Sequence, residues 1–124
     1  IDMNRQEIGK LGENLARTFL KKRGYRIRET NFRCREGEID IIAQQGDYLV
    51  FVEVRAKSSL DFGTPEESIT PSKKEKLIAS ALTYINTHQK LPALWRIDVV
   101  ALELSDKGKA KRIELIENAI EQHY

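Results

Sequence analysis

The 124-residue sequence predicts an α/β fold with a mixed central sheet flanked by helices. Three observations lead there. Apolar periods of helical and strand type follow one another in the order helix, three strands, helix, strand, strand. The first three strands are joined by short polar turns and read as an antiparallel meander. The second helix stands between two strongly apolar strands, which permits a parallel crossover of the usual right hand.

Residues near 5 to 23 form the first predicted helix. Ile8, Leu11, Leu15 and Phe19 recur at helical spacing, and Gly24 follows Lys21-Lys22-Arg23 as a stop. Gly9, Gly12 and Ala16 give this helix a small-residue flank that can lie close against a sheet. Strands are predicted over Tyr25–Phe32, Glu38–Gln44 and Tyr48–Lys57, with turns at Arg33–Gly37 and Gln45-Gly46-Asp47. Residues 58–70 are polar, contain Gly63 and Pro65, and read as a loop. Thr70 as N-cap and Pro71 at the first helical position start a helix that runs to about His88. Its expected buried face is Leu77, Ile78, Ala81, Leu82 and Ile85. Leu94–Leu104 is a long apolar strand, Ser105–Lys109 a turn and Arg112–Ile116 a short last strand.

The length fits one domain over residues 1–124, with Ile1-Asp2 ahead of Met3 read as a vector remnant and 118–124 as a tail. Hydrophobic residues make up 40%, enough for a core, and no apolar run is long enough to span a membrane. The lone Cys34 cannot form an internal disulfide, which fits a reducing cytoplasm. A net charge of +2 gives no general affinity for nucleic acid. Local basic clusters are candidate phosphate contacts: Lys21–Arg23, Arg33 with Arg35, Lys73 and Lys74 with Lys76, and Lys107–Arg112. Solvated charge that maintains solubility is the other reading of each.

The chemistry-bearing signal lies in two strands. Asp40 in Gly37-Glu38-Ile39-Asp40-Ile41-Ile42-Ala43 and Glu53 in Leu49-Val50-Phe51-Val52-Glu53-Val54-Arg55-Ala56-Lys57 are carboxylates set among core residues. Such groups are buried only when paired or bound to a metal. Strand alternation puts Glu38, Asp40 and Ile42 on one face, and Phe51, Glu53, Arg55 and Lys57 on one face of the next strand. If Asp40 and Glu53 point the same way, they can share Mg²⁺ or Mn²⁺ with the Val54 carbonyl and waters. A cation there binds a phosphate oxygen and activates water, and a neighbouring basic side chain stabilises charge on phosphorus. The competing reading is a buried salt-bridge network with Arg55 and with Arg26 or Arg28.

Asp40 followed thirteen residues later by Glu53-Val54-Arg55 resembles the D…(D/E)-x-K signature of restriction-endonuclease-like nucleases, and the element order resembles their αβββαβ core. A closer resemblance is to the YraN-like family of small bacterial proteins. It is carried by Gly9-x-x-Gly12-Glu13, the two acidic strands, Gly63, Lys73 and Arg96-Ile97-Asp98-Val99-Val100, and covers nearly the whole chain. The resemblance implies kinship of fold with archaeal Holliday-junction resolvases, dimeric enzymes that cut branched DNA with Mg²⁺. It also implies that Glu13 joins Asp40 and Glu53 as a third acid. Arg55 occupies the place of the signature's lysine. Arginine stays protonated and cannot act as a general base, but it can grip a phosphate bidentately. Lys57 is two residues on and is a candidate for the missing amine.

The expectation is therefore a Mg²⁺-dependent nuclease acting on DNA, including branched DNA, with a homodimer as the natural form for cutting two strands. Asp40, Glu53 and Glu13 with the Val54 carbonyl would hold the metal. Arg55 and Lys57 would meet the scissile phosphate, and Arg33, Arg35, Lys73, Lys74 and Lys76 would guide the strand. Two other classes stand beside it: a non-catalytic nucleic-acid-binding module and a purely structural or partner-binding protein. Asp98 reads as a structural partner of Arg96. His88 and His123 have no partner at metal spacing, and Tyr84 and Trp95 read as core or interface residues.

Overall fold

The computed structural model describes residues 3–120; the readings of Ile1-Asp2, of the tail from 121 onward and of His123 lie outside them. Helix α1 spans Arg5–Lys22 and opens with a capping box. The Asn4 side chain accepts from the Glu7 N–H at 2.9 Å, and Glu7 accepts from the Asn4 N–H at 3.1 Å. Strands β1 (Arg26–Cys34), β2 (Gly37–Gln45) and β3 (Tyr48–Lys57) follow. A 3-10 turn at Glu66–Ser68 interrupts the predicted loop, and α2 (Pro71–Thr87), β4 (Leu94–Leu104) and β5 (Ala110–Ile116) follow among the described residues. Thr70 caps α2 as expected, accepting from the Lys73 N–H at 3.1 Å, with Pro71 at its start.

The five strands lie in sequence order, antiparallel except for the parallel β3–β4 pair that flanks α2. Strand alternation sends side chains to two separate cores. One gathers Leu20 of α1 with Ile41, Val50, Val52, Val100 and Leu102. The other gathers Leu77, Ala81 and Tyr84 of α2 with Ile39, Ile42, Phe51 and Ile97. The small flank of α1 does what its composition suggested. A Cβ on Gly12 would lie 2.7 Å from that of Ala56, so the helix rests directly on β3. Tyr84 is core, edge-on to Phe32 and Phe51, and His88 stacks on it at 3.7 Å.

One expectation fails in β2. Glu38, Asp40 and Ile42 do not share a face by simple alternation, because Ile39 and Ile42 enter the same core while Ile41 enters the other. Asn31, between the partners of Ile41 and Ile39, stands across from Asp40 and has φ +53°. Asparagine tolerates this left-handed conformation better than other side-chain-bearing residues. The alternation of β2 breaks at Asp40, across from this residue.

Candidate functional site

The β2–β3 ladder ends at Ile41–Val52, although β2 begins four residues earlier and β3 runs five residues further. Beyond that point the β1–β2 hairpin parts from β3. Asp40 stands at the fork. Its Oδ2 accepts the Val54 N–H at 2.8 Å, a bond that a neighbouring backbone carbonyl would otherwise accept. An extended residue projects N–H and C=O to the same edge, so the Val54 carbonyl faces the fork as well.

The fork opens into a pocket of about 200 Å³. Glu13 of α1, Glu38 and Asp40 of β2, and Glu53 and Arg55 of β3 line it, and Lys73 comes from the first turn of α2. Glu53 is only 3% exposed. Its Oε2 lies 3.3 Å from Arg55 Nε and 3.6 Å from Lys73 Nζ. The Arg55 Nε is buried yet makes no hydrogen bond, so the pair is close but misaligned. Burial first, and the adjacent Asp40 carboxylate second, push the Glu53 acid up to about 8. The same two causes, in the same order, raise Glu13, while the Arg17 charge and then a hydrogen bond with Asn31 oppose them.

The pocket thus joins Glu13, Asp40, Glu53, Val54 and Arg55 from the expected set. Lys57 is not among its lining residues; its ammonium donates to the Gly63 carbonyl at 3.2 Å and lines the next groove. Lys73, expected only to guide a strand, stands instead beside Glu53. Arg33, Arg35, Lys74 and Lys76 are exposed and outside the pocket lining, and Arg33 pairs loosely with Glu38 at 3.5 Å. Arg26 and Arg28 donate to Gln44 and take no part in an acid network at the fork. Arg112 is tied to Glu66, Glu103 and Glu114, which makes it a brace between the 3-10 turn and the sheet. Asn31 is the residue that the sequence reading missed.

The donor set at the fork is all oxygen, as hard divalent cations require. Among the described residues no group of three or more His, Cys, Asp or Glu side chains is placed to hold a metal ion. Mg²⁺ does not need such a group, since it is commonly held by one or two carboxylates and several waters. The buried Glu53 lacks a well-aligned donor, and its repulsion with Asp40 is what a shared cation relieves. The residues fit such an ion.

The αβββαβ order with its mixed sheet defines the restriction-endonuclease-like class of α/β fold. Within that class, the model of "Uncharacterised protein family UPF0102" matches residues 12–102. A UPF0102 protein of Dehalococcoides mccartyi is 51% identical over 94% of this chain and 95% of its own length. One from Caldicellulosiruptor saccharolyticus is 44% identical over 94% and 99% of the two chains, and one from Geobacter metallireducens 40% identical over the whole of both. The chain belongs to the UPF0102, or YraN-like, family. No helix among the described residues is long and apolar enough to cross a membrane.

Proposed function

We propose that the protein is a metal-dependent nuclease that hydrolyses phosphodiester bonds in DNA, branched or otherwise structured DNA included. The observation that carries this reading is the fork itself. There Asp40 and Glu53 come together with Glu13, and two cations stand beside them. Asp40, Glu53 and the Val54 carbonyl would hold Mg²⁺ or Mn²⁺, with Glu13 reaching it through water. When bound, the ion supplies Lewis-acid polarisation of the phosphate and a more acidic water. Arg55 and Lys73 would then exchange Glu53 for phosphate oxygens and stabilise the charge that builds in the transition state. Lys73 thereby supplies the amine that Arg55 displaces from the signature. The reducing cytoplasm is the proposed compartment, and a two-fold dimer the form suited to cutting paired strands.

Asp40→Asn tests this directly. The variant is expected to lose Mg²⁺-dependent cleavage of branched and linear DNA while binding both; cleavage at the parent rate would sink the proposal. A second reading, a nucleic-acid-binding module without catalysis, is favoured by Arg55 in the lysine position. It is selected if the purified parent binds DNA but cuts none of these substrates with either metal.

A further inference from the structure

Beside the acid pocket runs a second groove of about 630 Å³, and the two share Gly9, Val54, Arg55 and Ala56. Its volume lies within the roughly 300–1,000 Å³ of pockets that hold small ligands. The charge of its lining is opposite to that of its neighbour. Arg5, Arg55 and Lys57 contribute cations, Ser58, Ser59 and Ser68 contribute hydroxyls, and no carboxylate lines it. The groove is complementary to a phosphodiester backbone.

Phe62 forms part of its wall and is 93% exposed. The ring is displayed on a tied turn. Lys57 Nζ holds the Gly63 carbonyl at 3.2 Å, the Gly63 N–H donates to Leu60 at 3.1 Å, and the Thr64 N–H donates to Glu67 at 2.8 Å. Gly63 has φ +96°, which a side chain would strain. Holding a phenyl ring in water on an anchored turn has no packing benefit within the chain. An aromatic face beside cations does suit a nucleobase. In a duplex the base faces are already stacked on one another, so the ring receives an unpaired base at the least cost.

We infer that this groove seats an unpaired DNA strand, with its backbone on Arg5 and Arg55 and a base on Phe62, leading to the acid pocket; the inference rests on the nuclease reading and names its substrate as DNA with a single-stranded segment. Lys57 contributes by holding the turn that carries Phe62.

The test is fluorescence anisotropy of the full chain with labelled oligothymidine and with a blunt duplex of equal length, in EDTA. The parent is expected to bind the single strand, and Phe62→Ala to weaken that binding by about 5- to 150-fold while leaving duplex binding unchanged. Phe62→Trp should retain it. Arg5→Ala should flatten the log–log salt dependence by about 0.7. Because Phe62 is exposed, its substitution leaves the core intact. No single-strand binding by the parent, or equal binding by Phe62→Ala, would overturn the inference. The two proposals fail separately. A parent that binds through Phe62 but cuts nothing with Mg²⁺ keeps the groove and loses the nuclease. A parent that cuts while Phe62→Ala binds single strands undiminished keeps the nuclease and loses the groove.

Discussion

Asp98 on β4 and Glu53 on β3 are both buried, at 0% and 3% exposure, on neighbouring strands of one sheet. Asp98 is fully occupied. Its Oδ1 accepts from Arg96 Nε at 3.0 Å and the Asn118 N–H at 2.9 Å, and its Oδ2 from Tyr25 at 3.2 Å. Arg96 in turn donates to Tyr25 and Gln45 and lies over the Tyr48 ring. Glu53 has two cations near it and no aligned donor among the described residues. A buried carboxylate that serves the fold is hydrogen-bonded on both oxygens. One left with loose pairs at an open fork is costly to the apoprotein, and that cost makes sense if a ligand supplies the missing charge.

The largest expected difference between these two acids is in stability. Asp98→Ala leaves Arg96 and Tyr25 without their acceptor and should destabilise the fold by about 3–5 kcal/mol in urea denaturation. Glu53→Gln replaces a carboxylate that burial and Asp40 disfavour with a neutral amide, and should leave metal-free stability at neutral pH undiminished or raise it. Equal losses would erase the distinction between a structural acid and a site acid.

The comparison sharpens next at the two lysines. Lys73→Ala should lower kcat for DNA cleavage by about 10²–10³-fold, the effect of losing one electrostatic stabiliser of the transition state. Lys57→Ala should act mainly on KM, because its ammonium holds the Gly63 turn. A kcat loss confined to Lys57→Ala would reverse the assignment.

The two acids separate in pH dependence as well. The pKa of Glu53 is raised from 4.5 to about 8 in the folded state, so its contribution to metal-free stability is complete below 4.5 and lost as pH rises through 8. Tyr25, raised from 10 to about 12 by burial and then by Asp98, loses its contribution only above 10 and through 12. Denaturation midpoints against pH should therefore show two declines, one between 4.5 and about 8 and one between 10 and about 12. Glu53→Gln should remove the lower one and leave the upper one in place.

Much of this was legible in the chain. Tyr48–Lys57 and Leu94–Leu104 match the sequence reading at both ends, because long apolar runs bounded by polar turns leave little choice of boundary. Asp40 and Glu53 announced themselves as acids in apolar strands. Ends governed by pairing were less visible: β1 runs two residues beyond Phe32, and β5 starts two before Arg112. Lys73 was hidden by distance. It is twenty residues from Glu53, and only the docking of α2 joins them, although a lysine in a helix's first turn was a sign. The place of the Lys57 ammonium was not legible, because alternation fixes where a strand residue starts and not where a four-carbon stem ends. Asn31 gave the weakest signal, a residue type that tolerates positive φ, and it stands across from Asp40.

The most direct test is calorimetry of Mn²⁺ and Mg²⁺ binding to the parent, Asp40→Asn and Glu53→Gln, each shown by circular dichroism to be folded. The parent should bind, and both folded variants should lose that binding. No binding by the parent even with DNA present, or undiminished binding by Asp40→Asn, would contradict a metal site at the β2–β3 fork.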